Sequence, residues 1–180
     1  MAKKESREEI LDRVEKRAIE YHKRGHGCAQ TGLLAVGEEF CPESIQSVFK
    51  AASFLSGGIA RTGNACGALV GAMLAAGLAA GRETLDAPAY GTATDKNTGK
   101  PRIAELVREL FYRFVQQEGS WICRDIQTKL AGRPFDMHDP EQVKQFRETG
   151  DPDKAAKLVG RSARLATETI LQMKEEGLIK

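Results

Sequence analysis

Residues 64–81 read NACGALVGAMLAAGLAAG, a run that is either a membrane span or a helix buried in protein. From Ala65 to Gly81 it carries no charge for 17 residues, at the lower edge of the length that spans a bilayer. Alanine and glycine bring little transfer energy, however, and Arg82 follows at once. The run therefore reads as a helix buried in a helical protein, with no membrane insertion. Four glycines follow the cysteine, and each weakens a helix interior by about 1 kcal/mol relative to alanine. Gly67/Gly71 and Gly77/Gly81 are both GxxxG pairs, which line a helix with small residues and permit close approach. A tightly packed core, a dimer seam or a bound cofactor would each use that closeness.

Outward from this run, helix signals dominate. Upstream, Ser6 and Glu9 have the form of a capping box, and Ile10, Val14, Ala18 and Tyr21 recur at helical spacing before Gly25. A second helix begins near Cys28 and runs to Gly37. Pro42 suits the first turn of a third, through Ile45, Val48, Phe49 and Ala52. The glycine-rich FLSGGIARTGNACG then leads into the central run. Downstream, residues 82–101 are polar, with Pro and Gly, and read as a long loop of the kind that forms lids or flexible segments. After Pro101, Ile103, Leu106, Val107, Leu110, Phe111, Phe114 and Val115 make an amphipathic stripe. Gly119 breaks it, and a short helix holds Trp121, Ile122, Cys123 and Ile126. Asp139-Pro140 and Asp151-Pro152 look like N-caps with first-turn prolines, the second opening a long final helix at about 152–175. No alternating run is long enough for a strand. The expectation is an all-α protein, a compact multi-helix bundle with a Gly/Ala-rich central helix, and one helical domain over residues 1–180.

Composition narrows the function. A chain of 180 residues with 41% hydrophobic and 29% charged residues is ordinary for a globular protein. A net charge of +2, with no basic cluster beyond the scale of Lys23–Arg24 or Lys3–Lys4, argues against nucleic acid. MAKKESREEILDR has no apolar stretch behind its lysines, unlike a secretory signal, so a cytoplasmic location is expected. There thiols stay reduced unless catalytic, sensing or metal-bound. Cys28, Cys41, Cys66 and Cys123 show neither CxxC pairs nor zinc-finger spacing; if they act together, the fold must gather them.

Cys66 follows Asn64, a good N-cap, which puts its thiol in a first helical turn where free amides and the helix dipole favour an anion. That setting lowers a thiol pKa and raises the reactive thiolate fraction. Cys28 is placed similarly after Gly25-His26-Gly27, with His26 able to stabilise a thiolate when protonated. Against this stands the plainer reading of free cysteines as small buried hydrophobes, stronger for Cys41, and of His26 and His138 as surface or satisfied histidines. Nothing resembles a nucleotide-binding glycine loop: Gly57-Gly58 is neither followed by a P-loop lysine nor set between strand and helix.

The ordered set Gly27-Cys28-Ala29-Gln30, Gly57-Gly58, Cys66-Gly67-Ala68 with Gly71, and Phe111 and Phe114 ahead of Cys123-Arg124 resembles the C_GCAxxG_C_C family of redox-active proteins over residues 20–175. The resemblance implies a redox role inferred from cysteines. A similar module occurs in split-Soret cytochromes, which bind haem and are associated with an iron–sulfur centre. This chain has no CxxCH for covalent haem. The family pattern also expects a fourth cysteine near the start of the last helix, where this chain has Ala155 or Ala156.

Three readings follow. In the first, Cys28, Cys66 and Cys123 are catalytic thiols exchanging disulfides or electrons with an unidentified redox partner, as in an oxidoreductase. Gly27, Gly67 and Gly71 would allow close backbone approach at a cofactor. In the second, Cys28, Cys66 and Cys123 bind a metal or iron–sulfur centre, with His138 or a residue of another subunit completing the set. In the third, the chain is a structural helical homodimer with inert cysteines.

Overall fold

The computed structural model describes residues 5–180; the Lys3–Lys4 pair lies outside them. These residues form eight α-helices and no strand. Helix α1 (Arg7–Gly25) opens with the expected capping box: the Ser6 amide donates to Glu9 Oε2 at 2.7 Å, and the Glu9 amide to Ser6 Oγ at 3.3 Å. Its buried face runs Leu11, Val14, Ala18, His22, so the stripe continues into a histidine rather than Tyr21. Helix α2 (Cys28–Phe40) extends one turn past Gly37. Pro42 lies in a turn, and α3 (Ile45–Phe49) starts after it and ends in a single 3-10 turn at Lys50–Ala52.

Helix α4 (Gly67–Ala80) is the central run. Residues 82–101 are turns and isolated bridges. Helix α5 (Arg102–Glu118) buries Ile103, Leu106, Leu110 and Phe114, and stops at Gly119. Fully burying each such side chain stabilises the fold by about 1.5–3 kcal/mol. Helix α6 (Cys123–Ala131) is followed by α7 (Pro140–Glu148), where Asp139 caps as expected by accepting from the Glu141 amide at 2.9 Å. The last helix, α8 (Lys154–Glu175), starts after Asp153. Asp151 instead holds the turn before it, its carboxylate accepting from the Asp153 amide at 2.8 Å. No helix of the described residues is long and apolar enough to cross a membrane.

Helix α8 is the spine: it packs against α1, α2, α4 and α5. Its inner face, from Ala156 and Val159 through Ala163 and Ala166 to Ile170 and Met173, is buried. Buried hydroxyls on it are satisfied locally, Ser162 and Thr167 each donating to the carbonyl four residues back at 2.8 Å. Outside the core, Arg164 pairs with Glu8, Asp12 and Glu15 of α1. Arg161 grips Glu118 at the end of α5 with two bonds of 2.7 and 2.9 Å.

The two GxxxG pairs behave differently. A Cβ on Gly71 would lie 2.5 Å from the Ala29 carbonyl oxygen, and one on Gly67 would lie 2.9 Å from Leu55 O and 3.3 Å from Cys28 Cβ. These two glycines let α4 lie against α2. A Cβ on Gly77 meets nothing within 4 Å, and one on Gly81 meets only Gly77 of its own helix. The second pair is no intrachain seam.

Candidate functional site

Three helix starts carry the three cysteines. Cys28 is the first residue of α2, after Gly27 in the left-handed region at φ 78°. Cys123 is the first residue of α6. Cys66 is itself the N-cap of α4, without a side-chain cap bond. Asn64, expected to cap that helix, does not: its side-chain amide donates to Thr62 Oγ1 at 2.8 Å, and its carbonyl accepts from the Cys123 amide at 2.6 Å.

That last bond is part of what gathers the thiols. The chain before α4 and the chain before α6 lie antiparallel, with Ala65 bridged to Ile122. The Cys66 amide donates to Trp121 O at 2.9 Å, and the Arg124 amide to Gly63 O at 3.1 Å. Backbone pairing therefore sets Cys66 beside Cys123, while the missing Cβ of Gly67 sets Cys66 beside Cys28. A left-handed turn supports the arrangement: φ is positive at five successive residues, 57–61, including Ile59, Ala60 and Arg61. Each non-glycine residue there costs about 1–2 kcal/mol. Gly58 is required, since a Cβ on it would lie 2.5 Å from the Asn64 amide nitrogen. Ser56 ties this loop to α2 by accepting from the Ala29 amide at 3.3 Å.

All three thiols line one cavity of about 800 Å³, together with His22, His26, His138, Gly27 and the two residues Ala155 and Ala156. Cys41 does not line it, so it supplies no substitute for the cysteine replaced at the start of α8. Gly67 and Gly71 do not line it either; their bare faces meet the backbone of Leu55, Ser56 and Ala29. His138 is an exposed residue of the cavity wall. Among the described residues, no group of three His, Cys, Asp or Glu side chains is arranged to hold a metal ion.

The expected low thiol pKa is overturned. Cys66 is only 2% exposed, and burial pushes its thiol up to about 12; a thiolate on Cys28 pushes in the same direction. Cys28 and Cys123 are likewise pushed up to about 12, first by burial and then by a neighbouring thiolate, of Cys123 and of Cys66 respectively. Backbone amides do oppose this, those of Ala68 and Leu69 in the first turn of α4 at Cys66, and those of Cys28 itself and of loop residue Gly57 at Cys28. Removing an ion from water outweighs them. The mutual pushing is itself a sign of closeness, because only near charges act this way. All three thiols are free.

Two side chains that the sequence did not single out touch the sulfurs. His22 Nε2 lies 3.7 Å from Cys28 Sγ. The ring is 6% exposed, and its Nδ1 has no partner; burial holds its pKa down to about 4, so it is neutral at pH 7. His26, the expected neighbour, faces the His22 ring edge-on at 5.7 Å. The signal for His22 was its place four residues after Ala18 on the buried face. Gln127, buried four residues after Cys123, lies with Nε2 3.5 Å from the Cys123 sulfur, and its Oε1 accepts from the Phe135 amide at 2.8 Å.

No curated protein and no solved structure matched the chain. The family model described as "Putative redox-active protein (C_GCAxxG_C_C)" matches residues 26–169, a span that holds all three cavity cysteines. The chain therefore belongs to the C_GCAxxG_C_C family.

Proposed function

We propose that the cavity is a thiol–disulfide redox site in which Cys28, Cys66 and Cys123 take up and release electrons, with His22 as the proton acceptor for Cys28. The carrying observation is that three cysteines distant in sequence line one cavity, each bearing on another's ionisation. Inert packing cysteines have no reason to converge in this way.

The donor set argues against a resident metal centre. Three thiols are present, but Ala155 and Ala156 line the cavity where the family pattern has its fourth cysteine, and no three donors converge on a single ion among the described residues. A four-thiolate cluster does not fit this set, and no step below passes through one.

In the reductive direction, Cys28 attacks a substrate disulfide R–S–S–R. Its proton passes to His22 Nε2, the Cys28–S–SR bond forms, and the departing thiolate takes the proton to leave as RSH. Cys66 then attacks the Cys28 sulfur and gives up its own proton to the second departing thiolate. One protein disulfide and two RSH result, and two electrons have moved to the substrate. The reverse sequence re-reduces the protein. A thiol held near pKa 12 carries almost no thiolate at pH 7, so exchange at Cys28 depends on a base that takes its proton as the new bond forms, the part given to His22 Nε2. Cys123 lines the same cavity, bears on the ionisation of Cys28 and is acted on by Cys66, which makes it the third participant.

Titration with a mild oxidant tests the reading. Two free thiols should disappear per monomer, and non-reducing peptide mapping should link Cys28 to Cys66 or to Cys123. Cavity cysteines that all stay unpaired after oxidation would sink the proposal, as would stoichiometric iron or zinc in an anaerobic preparation.

A further inference from the structure

The wall of the thiol cavity is cationic beyond what its own carboxylates can cancel. Lys23, Arg61, Arg147 and Lys154 line it, and Asp153 is the one carboxylate that does. Asp153 is already taken, bonded to Lys23 at 2.6 Å. Among the described residues Arg61 reaches only the Met137 carbonyl, at 3.4 Å. Arg147 has no ion-pair partner among the described residues, and its guanidinium is close enough to His26 to disfavour protonation there. Lys154 is the most telling. Its side chain is 4% exposed, packed over the Phe146 ring at 4.5 Å. Its ammonium donates to the carbonyls of Thr149 at 2.6 Å and Asp151 at 3.2 Å, which accounts for two of its three hydrogens. Buried cations are normally paired; the carboxylate that acts on Lys154 is that of Asp151, which is itself bonded to Lys157 at 2.6 Å.

We propose that the cavity takes its redox substrate as an anion, a low-molecular-weight disulfide or thiol carrying carboxylates, held by Arg61, Arg147 and Lys154 while its sulfur meets Cys28. This rests on the thiol–disulfide reading. The volume of about 800 Å³ lies in the range of sites for peptide- or drug-sized ligands. Low-dielectric clefts lined by one sign of charge raise the local concentration of the opposite sign and speed its association.

The test uses reduced full-length protein and three symmetric disulfides: glutathione disulfide (anionic), 2-hydroxyethyl disulfide (neutral) and cystamine (cationic). Each rate is divided by that of the same chain unfolded in urea, which removes the intrinsic reactivity of the reagent. At low salt the normalised rate should be about tenfold or more higher for the anion than for the neutral compound, and lowest for the cation. In 1 M salt, where the Debye length falls to ~3 Å, the anionic preference should collapse. The double variant Arg61→Gln/Arg147→Gln should bring the anionic-to-neutral ratio toward one. Three equal normalised rates at low salt overturn the proposal.

A second arm separates the two ideas. S-Methylglutathione cannot exchange, so its calorimetric binding reports the anion site alone. If it binds salt-dependently and the double variant loses that binding while no disulfide reacts, the anion site stands and the redox reading falls. If it does not bind, the anion site falls whatever the thiols do.

Discussion

Gly71→Ala and Gly77→Ala place the same methyl group on the same helix, and the structure assigns them opposite signs. At Gly71 the new Cβ would stand 2.5 Å from the Ala29 carbonyl oxygen, 3.0 Å from its Cα and 3.1 Å from its carbonyl carbon. Those are backbone atoms of α2 and cannot rotate away, so α4 must move off α2. Overpacking of this kind costs about 1–3 kcal/mol, occasionally more. The gain in helix propensity returns about 1 kcal/mol, and the net expectation is a loss of up to about 2 kcal/mol. At Gly77 nothing lies within 4 Å, so only the propensity term remains, a gain of about 1 kcal/mol. For a chain of this length 1 kcal/mol moves Tm by about 2–4 °C. Urea unfolding should therefore show the two midpoints on opposite sides of the wild type with unchanged m-values. Gly71→Ala should also slow disulfide formation between Cys28 and Cys66, because the same contact sets their spacing. A Gly71→Ala midpoint above wild type would refute the packing argument. A Gly77→Ala midpoint below it would mean that the open face of α4 is covered in solution, as in a dimer.

Three further outcomes follow from the site and its supports. Iodoacetamide should alkylate Cys66 in the folded protein roughly a thousandfold more slowly at pH 8 than an ordinary thiol, with a rate still climbing at pH 10; a plateau near pH 8–9 refutes the burial argument. The same shift acts on stability. The folded-state pKa of about 12 is raised above an unfolded value of about 8.5, so the contribution is fully present below pH ~8.5 and is lost as pH rises toward 12. The slope is about 1.4 kcal/mol per pH unit for this thiol, and Cys66→Ala should flatten it in alkaline urea titrations. His22→Gln should slow disulfide exchange about 100-fold at pH 7, the scale of a lost proton acceptor. In the wild type, stopped-flow rates should persist until the pH falls to about 4; a loss near 6.5 would mean that His22 is not the acceptor. Arg161→Met leaves the Glu118 carboxylate, 2% exposed, without its cation, and should destabilise by about 2–4 kcal/mol. The upper end is discounted because Arg161 is itself 39% exposed; an unchanged Tm would exclude a structural role for the pair.

Local chemistry accounts for what could be read without coordinates. Ser6 and Glu9 cap α1, Asp139 caps α7 and Gly119 ends α5, because each signal acts within one turn of its own chain. The family pattern likewise singled out Cys28, Cys66 and Cys123, the three that share a cavity. His22 was hidden for an instructive reason. It lies six residues before Cys28, across the break at Gly25, and only the packing of α1 against α2 turns its ring to the sulfur.

Propensity, capping and apolar spacing act over a few residues, so the helical class and several helix ends were legible in the chain, while the grouping of Cys28, Cys66 and Cys123 came from the family resemblance. The protonation state of those cysteines depends on how the folded chain packs around them. At a helix start a thiol is expected to be acidic, yet here burial outweighs the amides and pushes all three to about 12. Desolvation depends on what packs around a side chain, and that is set by residues far away in the chain. The glycines of the central run divide for the same reason: Gly67 and Gly71 meet backbone, while Gly77 meets open space, a difference that no local pattern encodes.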